Sequence, residues 1–247
     1  MKNGLPILLL LALTACRHDP LIGPEEPATG VLKVTFRPTW NGSDFHKENI
    51  YLTAANERVL IQMVKFYLSP IVCSGDTDAT ASRVELLDIT NGPQERTFTM
   101  PVGGYDSLRF GLGLPYELNH ADITDIDPAS PLGSAQGTYW TWTTMYRFVM
   151  FDGRYDTEPG GTGTPPYQFS LHAGRDECYR ERTIPAALSI TDGGNTELVL
   201  NVDLSRFFTD GDQVLDLSQN PQVHGEVQTM SQAMRLSDLA VKAINAD

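Results

Sequence analysis

The feature that most constrains the fold is a rhythm of two. The segments VLKVTFR (31–37), VLIQMVKFYLSPI (59–71), YDSLRFGLG (105–113), YRFVMFDG (146–153), PYQFSLHAG (166–174) and TELVLNVDL (196–204) alternate apolar with polar residues or run through β-branched and aromatic ones. A period of two sends successive side chains to opposite faces, so these runs suit half-buried strands and not helices. Between them lie NGS, SGDTD, NGPQ, PGGTGTPP and TDGGN, whose Gly, Pro, Asn and Asp supply turn conformations. Many short strands punctuated in this way predict an all-β domain, an antiparallel β-sandwich. Two segments break the rhythm. Residues 114–144 form a long, aromatic-ended loop of the kind that is usually functional or disordered. From Gly225 onward, Val227, Met230, Met234 and Leu239 recur at roughly helical spacing, which predicts a short amphipathic helix capping the domain.

The N-terminus follows a different logic. After Lys2 comes an apolar run, too short to span a bilayer, that has the character of a signal-peptide core. It ends in Leu13-Thr14-Ala15-Cys16, which resembles the lipobox of bacterial lipoproteins, with small residues ahead of a cysteine that is acylated before cleavage. The chain is therefore read as a signal peptide (1–15), a lipidated tether rich in Pro, Gly and Glu (16–30) and one domain (31–247). A plain secretory signal with an incidental cysteine is the alternative. Residue 17 is Arg and not Asp, which by analogy with enteric bacteria favours the outer membrane. The expectation is a domain anchored to the cell envelope by lipid alone, on the periplasmic or cell-surface side. With 41 % apolar residues, the mature chain of about 230 residues can build one sizeable core.

A formal charge of −13, spread along the chain, argues against a nucleic-acid partner and is compatible with a basic protein partner or with cations. Once Cys16 carries lipid, Cys73 and Cys178 are left as an even pair in an oxidising compartment, and a disulfide between them is expected.

Hydrolase machinery is missing: there is no G-x-S-x-G elbow, no S-x-x-K pair and no glycine loop with a phosphate-binding Lys. Asp122, Asp125 and Asp127 alternate in the long loop but lack the spacing and closing Glu of an EF-hand, and read as a solvated acidic loop. Histidine is more suggestive. His172 ends a strand within SLHAG, and His224 immediately precedes the helix that carries Met230 and Met234. Imidazole with thioether is a soft donor set that suits copper better than calcium or magnesium. From the residues alone, a copper site and a set of structural His and core Met both stay open. The segment GTYWTWTTMYRF (137–148) brings Trp140 and Trp142 to one face of a strand, as core filling or as an aromatic-edged pocket.

The order of these motifs carries a resemblance. VTFRPTWNG and KFYLSPI, then LRFGLGLPYELNHAD, YWTWTTMY, FSLHAG, LVLNVDLSRFF and VHGEVQTMSQAMRLSDLA together resemble the MbnP-like copper-binding proteins over about residues 31–240. YWTWTTMY is similar to the family's M-x-W-x-W-x-x-G-Y motif, with Thr138 at its Met and Met145 at its Gly, and Pro70 stands at the Asn of its F/Y-Y-[IL]-S-N-I strand. The resemblance implies copper, as Cu(I) or Cu(II), held by His172 and His224, with His46, Met230 or Met234 as further donors. It also implies an MbnH-like di-haem peroxidase partner that oxidises a tryptophan, Trp140 or Trp142, to kynurenine. On that reading the protein is a copper carrier or store and not an enzyme. The rivals are a metal-free module whose aromatic loop stacks on glycans or serves as a scaffold and, third, a metal-dependent enzyme.

Overall fold

The computed structural model describes residues 27–140 and 145–247. The lipobox, Cys16 and most of the tether lie outside the described residues, as does Trp142. The strands are β1 (Thr29–Trp40), β2 (Ser43–Asp44), β3 (Tyr51–Leu52), β4 (Arg58–Gly75), β5 (Ala79–Ser82), β6 (Glu85–Asp88), β7 (Gln94–Pro101) and β8 (Gly103–Leu112). After the short helix α1 (Tyr116–Asn119) come β9 (Tyr139–Trp140), β10 (Met145–Asp156), β11 (Tyr167–Gly174), β12 (Arg180–Ile190), β13 (Asn195–Asp203) and β14 (Gln222–Val223). Helix α2 (Met230–Ala243) and β15 (Ile244–Ala246) end the chain.

These strands form two sheets, as the sequence rhythm predicts. The larger is built on β12-β8-β4-β10-β11-β14, and the smaller on β15-β13-β1-β2 with β7 on the other side of β1. Alternate residues of β1, Leu32, Val34 and Phe36, are buried and meet Phe66, Phe110, Phe148 and Phe151 of the larger sheet in one apolar core. Removing such side chains from water is the main stabilising contribution to a sandwich of this kind.

The pairing departs from a purely antiparallel plan in two places. Strand β1 runs parallel to β13, with Val31 opposite Asn195, and β14 runs parallel to β11. A parallel pair cannot be closed by a tight turn. All strands of the larger sheet except β14 lie in the connection between β1 and β13.

The C-terminal helix forms as expected but begins later than the spacing suggests. Val227 lies in a 3-10 turn ahead of it and is 81 % exposed. The face that packs is Ala233, Leu236, Leu239, Ala240 and Ala243, all buried. One half-buried arginine ties the helix end down: Arg182 donates to the carbonyls of Val241 and Ile244 at 2.9 and 2.8 Å.

The long loop is held by tyrosines. Tyr67 and Tyr146 stand edge to face and donate to the carbonyls of Pro131 and Leu132, both at 2.8 Å. Burial of these hydroxyls leaves them no reason to ionise, and Tyr146 is pushed up to about 12.

The expected disulfide is not formed: Cys73 and Cys178 are both free and buried. Cys73 lies opposite Leu108 of β8, whereas Cys178 sits two residues before Arg180, which lies opposite Leu112. Four residues along a strand are about 13 Å, well beyond the roughly 7 Å between Cα atoms that a disulfide tolerates. Burial instead pushes each thiol up to about 11.

Candidate metal centre

Strands β10 and β11 form a hairpin whose two faces differ completely. On the inner face Val149 lies opposite Ala173, Phe151 opposite Leu171 and Gly153 opposite Phe169, all within the core. The intervening pairs, Met150 with His172 and Asp152 with Ser170, project from the outer face. A bulge between Arg147 and Val149 resets the alternation. Strand β14 then adds to β11 in parallel register, Ser170 opposite Gln222 and Leu171 opposite Val223, so the next residue, His224, is delivered beside His172.

The result is a compact polar cluster. The two imidazole centroids are 5.2 Å apart. His172 Nε2 lies 2.8 Å from Asp152 Oδ1 and 3.2 Å from Ser170 Oγ, and His224 Nε2 lies 3.2 Å from the same Oγ. Ser170 donates to Asp152 Oδ1 at 2.8 Å. Burial alone would raise the Asp152 carboxyl, but the hydrogen bonds from His172 and Ser170 prevail and hold it below the usual range. Burial, with the neighbouring His172, moves His224 downward and favours a neutral ring.

One atom stands out. His172 is 6 % exposed, and its Nδ1 is buried with no hydrogen-bond partner. Native structures seldom leave such an atom unpaired without a use for it.

Trp140 covers the pair. Its ring meets His172 and His224 edge-on, with centroids 5.5 and 5.6 Å away. Arg147 stacks on it: the guanidinium carbon lies 4.3 Å from the indole centroid, while Arg147 Nη2 donates to the Gly137 carbonyl and the Arg147 backbone N–H to that of Thr138 at 2.9 Å. At the start of β10, opposite Trp140, Met145 has φ of 57°, in the left-handed region that favours glycine. This is the position where the M-x-W-x-W-x-x-G-Y pattern carries Gly.

Of the residues singled out from sequence, His172, His224 and Trp140 converge here. His46 does not. It is exposed, and its backbone N–H donates to the Tyr51 hydroxyl at 2.7 Å, where Tyr51 lies opposite Val59, itself opposite Tyr155. That is five residues along β10 from Met150, about 17 Å. Met230 and Met234 are partly buried and pack against the core. Sequence reasoning missed Asp152, Ser170 and Met150. Met150 is only 4 % exposed although its side chain is directed away from the core, on the same face as His172. Counting outward from the β10–β11 turn would have paired all three positions.

The arrangement excludes a Ser-His-Asp hydrolase geometry, because serine and carboxylate crowd the same ring nitrogen of His172 instead of opposite ones. Among the described residues, no group of three or more His, Cys, Asp and Glu side chains is placed to hold a metal ion. Two imidazoles nevertheless fit a soft ion well. Nitrogen–metal bonds near 2 Å place two donors up to about 4 Å apart, and the ring spacing, the unpaired Nδ1 and the carboxylate behind Nε2 all agree with that.

The fold and the cluster define a β-sandwich protein with a tryptophan-capped imidazole pair on the outer face of its larger sheet. The chain belongs to the MbnP family, whose model matches residues 29–229. A solved structure described as MbnP from Methylosinus trichosporium is similar at a TM-score of 0.49 and 13 % identity, over 81 % of this chain and 82 % of that one. Comparison with curated proteins gave no match.

Proposed function

We propose that this protein binds copper at His172 and His224, as a carrier or store held at the cell envelope through Cys16. The observation that carries the reading is the buried, unpartnered Nδ1 of His172, in a ring whose other nitrogen is held by a carboxylate and which lies beside a second imidazole. Imidazole donors suit copper, and Met150 offers a thioether on the same face, a soft donor that further favours Cu(I). When bound, copper would supply a redox-active centre. The chain's own residues orient the two rings, cover them with Trp140 and hold the Arg147 guanidinium on the indole by stacking.

Family membership supports a further element, an MbnH-like di-haem peroxidase partner acting on Trp140. Conversion to kynurenine would consume two peroxides at the partner's haem: they would take four electrons from the ring, place one oxygen on each of C2 and C3 as that bond breaks, and leave as two waters, after which one water would hydrolyse the remaining bond between C2 and the indole nitrogen and release C2 as formate. Trp140 is suited to this role by its position against both histidines. The glycan-binding reading loses its main support, since a guanidinium covers the indole face on which a sugar would stack.

The test is a Cu(I) titration against a chromophoric chelator, with the native chain beside the His172→Ala/His224→Ala double variant. Stoichiometric binding in the native chain, lost in the variant, is expected. Absence of binding by native protein, both alone and after co-expression with its haem partner, would overturn the copper reading.

A further inference from the structure

The cluster contains more than two donors: it contains a device that chooses which nitrogen of each ring is free. Asp152 is a carboxylate and accepts hydrogen bonds only. With Asp152 Oδ1 at 2.8 Å, His172 Nε2 must carry the proton. Ser170 gives its single proton to the same oxygen at 2.8 Å, so its lone pairs are left to accept, and the His224 Nε2 that faces it at 3.2 Å must be the donor. The opposite nitrogens are then lone pairs. His172 Nδ1 has no partner at all. His224 Nδ1 is 3.9 Å from the nearest Glu226 carboxylate oxygen, beyond hydrogen-bonding distance. With both rings neutral, this is the assignment in which Asp152, Ser170, His172 and His224 all pair at once.

We infer that Asp152, acting directly on His172 and through Ser170 on His224, is the positioning residue that locks both imidazoles as Nε2–H tautomers and presents both Nδ1 nitrogens to the metal. One carboxylate thereby sets two ligands. The arrangement follows from the register: Asp152 faces Ser170 across the hairpin, Ser170 precedes His172 by two residues on the same face, and the parallel addition of β14 carries His224 alongside. The inference rests on the copper reading for its purpose but not for its content, because the tautomers are a property of the metal-free chain.

Long-range proton–nitrogen correlation spectra of the imidazoles, recorded on metal-free, 15N-histidine-labelled full-length protein near pH 8 where ordinary imidazoles are neutral, report each tautomer directly. Native protein is expected to show His172 and His224 as single Nε2–H forms. Ser170→Ala should release His224 into a mixture while leaving His172 unchanged. Asp152→Ala should release both, and Asp152→Asn, whose amide oxygen still accepts, should restore them. Backbone amide spectra identify any variant that fails to fold, and Ser170→Ala, which removes one hydroxyl, keeps the test open if Asp152→Ala does so. With Cu(I), the Nδ1 resonances of both rings should move, and Asp152→Ala should lower affinity by about 10- to 100-fold. An Nδ1–H form of His172 in native protein, or unchanged tautomers in folded Asp152→Ala, overturns the inference. Native tautomers as expected with no copper uptake would instead defeat the copper reading alone.

Discussion

Two buried polar clusters share strand β10, one with β4 and one with β11, and they differ in how completely they are paired. Near one end of β10, Arg58 donates to Asp156 at 2.9 Å and to the Gly163 carbonyl at 2.6 Å, while Asp156 also accepts the Glu158 N–H at 3.0 Å. Near the other end, His172 keeps one nitrogen paired and leaves the other buried and empty-handed. In the first cluster both carboxylate oxygens are engaged within the chain, and the guanidinium anchors the segment after β10. The second retains a lone pair that the fold itself does not use. The proposed copper site rests on this difference.

This contrast is open to direct challenge. Arg58→Ala leaves the Asp156 carboxylate buried and unmatched, and chemical denaturation should show a loss of about 3–5 kcal/mol; a loss below about 1 kcal/mol would mean that the cluster is not the anchor described. Met150→Leu, which preserves volume and burial but removes the sulfur, should weaken Cu(I) binding by about tenfold, or about 1.4 kcal/mol, without moving the unfolding midpoint. Unchanged affinity would remove Met150 from the donor set.

A smaller effect separates the clusters most sharply. His172→Leu trades a hydrogen bond for the removal of an unpaired buried nitrogen, so the metal-free chain should stay within about 1 kcal/mol of native stability. A cost as large as that of Arg58→Ala would show His172 to be structural. The smallest effect concerns an exposed pair. Lys242 donates to Asp210 at 2.6 Å, and this bond, with backbone N–H donors, holds the carboxyl down to about 2. A carboxyl whose folded value is depressed contributes stability that is present above its ordinary range near 4 and is lost as the pH falls toward 2. Asp210→Asn should therefore flatten the pH dependence of unfolding in that window only, and an identical profile would dismiss the contribution.

Much of the fold was legible because apolar alternation is a local signal. Leu32, Val34 and Phe36 announce an inward face without reference to any other segment, and Ser170 and His172 announce a shared outward one. The pairing of β1 with β13 left no such mark, since it joins residues more than 160 positions apart through backbone hydrogen bonds that any sequence can make. The candidate site was half legible. His172, His224 and Trp140 are chemically conspicuous, whereas Asp152 looks like an ordinary turn-flanking acid until the hairpin register places it against Ser170. His46 was misplaced because residue type says nothing about which end of a sheet a loop occupies. The two cysteines were expected to pair because their number was even, a rule that carries no distance.

The parallel pairing of β1 with β13 also fixes an order of events. As the chain emerges from its N-terminus, β1 can meet β7 early, but its other edge has to wait for residues 195–203, and β15 can dock on β13 only after that. Contacts so far apart in sequence are slow to form. His224 arrives later still than β13, so the second imidazole is among the last parts of the chain to be made. A nascent chain therefore cannot assemble the imidazole pair before residue 224 is made, and any premature stop ahead of it yields a product in which His172 lacks its neighbouring ring.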